Sequence, residues 1–252
     1  PIALILPHCS PHRELIIELS PALFLTTWAA GVAGVAALVA WWKVVGPGFG
    51  WLSAAVTALF GGIGWAVGGG WPAGVGTVAA LIGLALARRP QPFAVALGVG
   101  AVFLAAASVP DGGVLGTLSG ALLLGGTTGE MLLGHWFLID PTLPRWALKR
   151  LAAAGLAGVG ADVAVLMFDA GGFGGEVIGW AFVVLAATTF VLLIAVWFAL
   201  NEPSYPGVMA ATGLSYLAIL TAIGAAAAGR ALVDEGTSLL GGDAGLSRIF
   251  LL

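Results

Sequence analysis

The stretch VIGWAFVVLAATTFVLLIAVWFAL, residues 177–200, has no charged residue along its whole length. A helix needs about 20 apolar residues to cross a hydrocarbon core of about 30 Å. Trp180 and Trp197 lie 17 positions apart in this stretch. That separation corresponds to about 26 Å along a helix, which matches the distance between the two headgroup levels where tryptophan is enriched. The stretch therefore predicts one transmembrane helix.

The rest of the composition agrees with this interpretation. Only 8% of the 252 residues are charged, whereas about a quarter are charged in a soluble domain. Hydrophobic residues make up 60% of the chain, and 40 glycines are spread through it. The net charge of −3 comes from scattered residues, so nucleic acid is not an expected partner. The sequence predicts an all-α, polytopic integral membrane protein.

Eight apolar runs are separated by short segments rich in glycine and proline, and short connections make neighbouring helices antiparallel. We expect about eight transmembrane helices, in residues 22–42, 51–67, 72–87, 93–109, 114–139, 146–168, 177–200 and 207–233. The second and third runs are short and rich in glycine, so they could instead form one re-entrant hairpin.

Basic residues set the expected orientation. Six of them fall in alternate connections or beside them: Lys43, Arg88, Arg89, Arg145, Lys149 and Arg150. The opposite connections contain only the acidic residues Asp111, Asp169 and Glu176. The positive-inside rule then puts both termini outside the cytoplasm. We expect a multi-pass protein of a bacterial-type inner membrane.

The two ends of the chain are expected to lie outside the transmembrane domain of residues 22–233. Residues 1–21 form an extracytoplasmic segment in which positions 11–19 suggest a short amphipathic, interfacial helix. Ser20 and Pro21 are typical of the cap and first position of the next helix. Residues 234–252 are polar and rich in glycine, and we expect a loosely structured extracytoplasmic tail.

Carboxyl groups inside a bilayer are costly and are therefore candidates for function. Glu130 lies near the middle of the fifth run, and Asp162 lies in the outer half of the sixth. Together with His135, Asp140 and Asp169 they form a candidate proton path, which would require water between the groups. The alternative is that Glu130 and Asp162 are buried and hydrogen-bonded to neighbouring serine, threonine or tyrosine residues, and so only fix helix packing.

Residues 125–136, GGTTGEMLLGHW, combine three close glycines with two threonines. Gly125, Gly126 and Gly129 would allow another helix, a lipid or a flat cofactor to come close, and helix packing is the commoner cause of such a pattern. Thr127 and Thr128 are candidate polar lining residues. Tyr216 in the last run also needs a hydrogen-bond partner inside the bilayer, and Asp162 or Glu130 could serve.

Histidine and cysteine suggest two kinds of cofactor site. His135 could ligate haem or contact a quinone, but it is the only histidine in a membrane run, so two histidines of this chain cannot ligate one haem. His8, Cys9 and His12 form a possible metal cluster that lacks a fourth ligand. We therefore expect no resident cofactor and no metal, and we expect bound lipids.

The sequence lacks a phosphate-binding loop, a serine nucleophile elbow and a zinc-protease motif. We therefore expect a non-catalytic, accessory subunit of a larger membrane complex, of an energy-transducing or respiratory kind, whose partners are other integral membrane subunits. The alternative is a small independent proton-coupled transporter that uses Glu130 and Asp162. A transporter predicts a solvated cavity lined by both carboxyl groups, whereas a subunit predicts that they face a packed interface or a lipid-filled cleft.

Overall fold

The computed structural model describes the backbone of residues 20–169 and 177–249, and the side chains of residues 20–168 and 177–232. This part of the chain forms seven α-helices and no β-strand: α1 (Pro21–Trp42), α2 (Pro47–Ala66), α3 (Gly70–Leu86), α4 (Pro90–Ile139), α5 (Arg145–Asp169), α6 (Val177–Ala199) and α7 (Tyr205–Ile249). Six of these helices are long and apolar enough to cross a membrane, and α3, with 17 residues, is shorter. The all-α, multi-pass prediction is thereby confirmed.

The cap predicted at Ser20 and Pro21 begins α1, whereas prolines begin α2 and α4 four and three residues before the predicted apolar runs. The Ser20 hydroxyl accepts a hydrogen bond from the backbone N–H of Leu23 at 3.3 Å, and Pro21 occupies the first turn of α1. Pro47 and Pro90 stand in the first turns of α2 and α4. Proline is favoured there because the first backbone N–H groups of a helix have no partner within the helix.

Helix α4 reverses its direction at Gly113. With 50 residues it would extend about 75 Å if it were straight, far more than one bilayer crossing. Gly113 has φ 63° and ψ 167°, and Pro110 lies just before it. A positive φ is a conformation that glycine adopts readily. We call residues 90–112 α4a and residues 114–139 α4b.

Residue contacts with α1 show the directions of α4a and α4b. Along α4a, Ser108 is hydrogen-bonded to Thr26 at 2.7 Å, while the earlier residue Ala101 lies opposite Gly34. Residue numbers therefore fall in α4a as they rise in α1, so the two segments are antiparallel.

The second half follows α1 in the opposite sense. Gly125 lies against Gly31, and Gly129 lies against Val35 one turn further along both helices. Consequently α4b runs parallel to α1 and antiparallel to α4a. Beyond α1, α4b also packs against α5 and α7, which places it in the interior of the bundle.

Six basic residues, which are all those with described side chains except Arg230, lie at one end of the bundle together with tryptophan. Arg150 stacks over the rings of Trp42 and Trp146, at 5.7 and 4.6 Å from the ring centres, and Arg88 lies 5.5 Å from the ring centre of Trp51. We call this the basic end. Tryptophan and basic side chains together are typical of a membrane surface. The turn at Gly113 and the connection between α2 and α3 lie at the opposite end.

The carboxyl-terminal segment differs from the expectation. The backbone of α7 stays helical through residue Ile249, so residues 234–249 are not loosely structured. This stretch contains no proline, and its three leucines, one alanine and one glutamate tolerate helical geometry, which lets the preceding helix continue. The predicted interfacial helix at 11–19 lies outside the described residues.

Candidate functional site

Asp162 on α5 forms a buried ion pair with Arg230 on α7. The two side chains meet at 2.7 Å between Nη1 and Oδ2 and at 2.9 Å between Nη2 and Oδ1, the two-pronged geometry that suits guanidinium and carboxylate. Asp162 is 3% exposed and Arg230 is 6% exposed. Within residues 20–168 and 177–232 this is the one ion pair that the structure contains.

Residues of α4b complete the surroundings of this pair. The Ser119 hydroxyl donates to Asp162 Oδ1 at 2.5 Å, and Arg230 Nη2 donates to the backbone oxygen of Gly116 at 2.6 Å. A side chain at Gly120 would occupy the position of the guanidinium, so this glycine makes room for Arg230. We call Ser119, Asp162 and Arg230 the Asp162 cluster. It ties α4b, α5 and α7 together at the Gly113 end of the bundle.

In the Asp162 cluster, the negative charge of Asp162 is neutralised by the positive charge of Arg230. The guanidinium stays protonated in proteins, so it cannot receive a proton from Asp162. Both carboxylate oxygens already accept hydrogen bonds. A pair of opposite charges with satisfied hydrogen bonds is the arrangement in which a buried carboxylate is tolerated. The geometry is suited to holding helices together.

Sequence reasoning missed Arg230. The residue falls inside the last predicted run, 207–233, three positions before its end, but was not considered as a charge inside the membrane. Intramembrane charges usually pair with one another. An arginine and an aspartate in two different apolar runs were therefore the signal that could have predicted this contact.

Glu130 on α4b has a different environment. Its side chain is 0% exposed, and neither carboxyl oxygen has a hydrogen-bond partner among the described residues. Ser215 on α7 is the polar side chain that approaches it. However, the Ser215 hydroxyl donates to the backbone oxygens of Ala211 and Thr212, at 2.9 and 3.0 Å.

An ionised Glu130 would be a buried charge without a counter-ion, which is the most costly state for a carboxyl group. The neutral acid avoids that cost and can donate a hydrogen bond, and the Ser215 oxygen can accept one while its own proton points to the backbone. Glu130 is thus a group that can carry a proton within the bundle. Gly134, one turn further along α4b, faces Thr212 and extends the polar contact between α4b and α7.

The other candidate proton-path residues lie apart from these two. His135 is exposed on the outer surface of α4b, and its Nδ1 lies 3.3 Å from the hydroxyl of Tyr216, which is 44% exposed. Tyr216 therefore meets His135 and neither Asp162 nor Glu130. Five residues separate Glu130 from His135, which corresponds to about 140° around a helix, so the two side chains point in different directions.

Asp140 lies at the basic end, where it is exposed. It accepts hydrogen bonds from the backbone N–H of Thr142 at 3.1 Å and from its hydroxyl at 2.6 Å. These two hydrogen bonds hold the pKa of the Asp140 carboxyl below its usual range. The side chain of Asp169 lies outside the described residues. The five-residue proton path stays a prediction, and no direct hydrogen bond joins any two of its members in the described part of the chain.

The glycines at 125–129 make close helix contacts. Gly125 faces Gly31 of α1, Gly126 faces the backbone at Gly155 of α5, and Gly129 faces Val35. Backbones that approach so closely leave no room for a side chain, as in small-residue packing between membrane helices.

The two threonines of the same stretch are used in packing contacts. The Thr127 hydroxyl donates to the backbone oxygen of Leu123 at 2.7 Å, and the Thr128 hydroxyl accepts from the indole N–H of Trp28 at 2.9 Å. Neither hydroxyl is directed to Glu130 by these contacts.

Side chains that could bind a metal ion are scattered in the described part of the chain. Within the described residues there is no group of three histidine, cysteine, aspartate or glutamate side chains that could hold a metal ion. The candidate ligands His8, Cys9 and His12 lie outside those residues. The expectation of no resident cofactor stays a prediction, with His135 as the alternative position for haem or a quinone.

Comparison of the chain with models of protein families, with curated proteins and with solved structures finds no match. The two buried carboxyl groups, Glu130 and Asp162, are therefore the features of the chain from which a function can be inferred.

Proposed function

We propose that this protein is a non-catalytic integral subunit of a larger membrane assembly. The observation that carries the proposal is the burial of Glu130 and Asp162 at helix–helix contacts, where they are 0% and 3% exposed. A transporter would need both groups to reach a solvated cavity, whereas a subunit tolerates them at packed interfaces. Arg230 moreover holds Asp162 in an ion pair, which supports a structural role for that carboxylate.

The proposal includes eight crossings, with both termini outside the cytoplasm of a bacterial-type cell. The antiparallel course of α4a and α4b supports counting α4 as two crossings. Helix α3 extends about 26 Å, close to the thickness of the hydrocarbon core. The grouping of basic side chains at one end of the bundle supports the orientation, because that end suits the cytoplasmic surface.

An energy-transducing assembly is the class that we propose. Such assemblies use carboxyl groups inside the membrane to move protons, and Glu130 is a buried carboxyl group without a hydrogen-bond partner among the described residues. In this proposal the chain supplies a scaffold of closely packed helices, and Glu130 is its candidate contribution to proton movement.

Gentle detergent extraction followed by native mass spectrometry tests the subunit proposal. We expect the chain to be released in a complex with other integral membrane proteins and to dissociate from them when the detergent is made harsher. Extraction as a lone 25.2 kDa species under the mildest conditions would overturn the proposal.

A proton-coupled transporter is the second candidate, and the unpaired state of Glu130 is the observation that favours it. Its test is proton flux into liposomes containing the purified chain alone, compared between the natural protein and Glu130→Gln. Glu202→Gln is the matched control, because Glu202 is exposed outside the helices. Flux that is lost only in Glu130→Gln would favour this candidate, and equal flux in all three proteins would eliminate it.

A further inference from the structure

An apolar groove separates α5 from α6 on the outer surface of the bundle. Helix α6 packs more extensively against α7 than against α5, which leaves an opening of about 390 Å³. The walls of the groove are formed by Ala153 and Leu156 of α5 and by Ile194, Trp197 and Phe198 of α6. All five side chains are hydrocarbon or aromatic, so the groove suits a flexible apolar chain.

A cation stands at one end of this groove. Lys149 precedes Ala153 and Leu156 by four and seven residues, so the three share one face of α5. The Lys149 ammonium donates to the side-chain oxygen of Asn201, which follows α6, at 2.6 Å. This contact joins α5 to the residue after α6 on the side of the groove that faces the basic end.

The walls that α5 and α6 contribute to the groove begin at the same depth relative to the contact between Lys149 and Asn201. Ala153 lies four residues beyond Lys149, and Trp197 lies four residues before Asn201, so the backbone of each wall begins about 6 Å along its helix from the backbone of the residue in this contact. The groove then continues toward the middle of the bilayer. A charged group at the surface with an apolar channel directly below it matches the order of headgroup and acyl chain in a phospholipid.

The charge of Lys149 is not neutralised locally. The ammonium has three donors, of which Asn201 takes one. Glu202 directly follows Asn201 in the sequence, but it forms no ion pair with Lys149 within the described residues. Arg145 adds a second positive charge nearby, and it donates to the backbone oxygens of Glu202, Pro203 and Ser204.

We propose that the groove between α5 and α6 binds one phospholipid with a net negative headgroup. Its phosphate contacts the free donors of Lys149, and one acyl chain lies between Ala153, Leu156, Ile194 and Trp197. The attraction of a basic residue to an anionic lipid is worth about a fivefold difference in binding. The proposal is independent of which proteins the chain assembles with.

Native mass spectrometry of the purified full chain tests the site by titration with phosphatidylglycerol or phosphatidylcholine that carry the same acyl chains. We expect the natural protein to bind one phosphatidylglycerol molecule more tightly than it binds any further phosphatidylglycerol molecules. Lys149→Gln should weaken that binding about fivefold and leave phosphatidylcholine unchanged. Ala153→Phe should fill the groove and weaken both lipids.

Two matched variants separate the site from general effects. Arg89→Gln removes another exposed cation at the same end, and Ala106→Phe adds the same bulk to an exposed position of α4a; neither should change lipid binding. Lys149→Gln changes a surface residue, so its result does not depend on whether Ala153→Phe folds. Phosphatidylglycerol binding that is equal in Lys149→Gln and the natural protein would overturn the proposal. Binding of both lipids that is unchanged in Ala153→Phe would also overturn it.

Discussion

Arg230 determines the role of Asp162. In sequence the aspartate is an isolated intramembrane acid, whereas in the structure it shares two hydrogen bonds with a guanidinium and a third with Ser119. Glu130 is the contrasting residue, because it is equally buried and has no such partner among the described side chains. Of the two acids, Glu130 is therefore the one without a counter-ion among the described residues.

Removal of one partner of the ion pair should be costly. We expect Arg230→Ala to lower the free energy of unfolding by about 3 to 5 kcal/mol, because Asp162 would remain as a buried charge without a counter-ion. Reversible unfolding in mixed detergent micelles measures this change. Arg89→Ala is the control, and because Arg89 is exposed it should change stability by less than about 0.5 kcal/mol.

The double variant Asp162→Asn with Arg230→Gln completes this test. It leaves no unpaired charge, so its loss of stability should be smaller than the sum of the losses measured for Asp162→Asn alone and Arg230→Gln alone. Additive losses would mean that the two side chains do not interact in the folded protein.

At the scale of the helices, glycines determine how closely α4b approaches α1 and α5. The structure distinguishes glycines that touch a neighbouring backbone from others that face open space, a difference that composition does not reveal. Gly158 of α5 lies against the backbone of Leu123, whereas Gly160, two residues later, has nothing within 4 Å of where a side chain would begin.

These two glycines provide a matched pair. Gly158→Ala should lower the free energy of unfolding by about 1 to 3 kcal/mol, because the added methyl group would push α5 away from α4b. Gly160→Ala should leave stability unchanged or raise it by up to about 1 kcal/mol, since alanine is the better helix former. Detergent unfolding of both variants makes the comparison, and an equal loss in both would contradict the packing at Gly158.

The turn at Gly113 gives a second prediction about an element. Gly113→Ala should cost about 1 to 2 kcal/mol, because its φ of 63° is unfavourable for a residue with a side chain. Gly98→Ala, in the helical part of α4a with open space around it, should cost nothing by the same measurement. A stability loss in Gly98→Ala that matched that of Gly113→Ala would show that the turn conformation is not the cause.

For the whole molecule, the course of α4 determines which connections share a side of the membrane. In a Cys9→Ser background, which removes the sole cysteine, we expect an impermeant maleimide added to intact cells to label Val67→Cys and Asp111→Cys. Arg89→Cys and Thr142→Cys should react only after the membrane is permeabilised, because they belong to the basic end. Labelling of Arg89→Cys and Thr142→Cys from opposite sides would contradict the reversal at Gly113, and labelling of Asp111→Cys and Arg89→Cys from the same side would contradict a crossing by α4a.

Much of the architecture follows from local features of the chain. Apolar runs predicted the helices, and Ser20 with Pro21 predicted the start of α1, because capping depends on neighbouring residues. The tail at 234–249 was predicted wrongly, since glycine and polar residues lower helix propensity without forbidding a helix. Tyr216 has a partner, His135, that no short-range pattern indicates, because the two residues lie 81 positions apart.

By itself the sequence determined that the protein lies in a membrane, that it is helical, and which basic residues fall together, since these depend on composition and on order along the chain. Only the tertiary structure determined that Asp162 is neutralised by Arg230 while Glu130 has no such partner, and that one pair of helices leaves a groove beside Lys149. Charge balance, hydrogen bonding and packing are properties of neighbours in space, and residues far apart in the chain become neighbours only when the bundle closes.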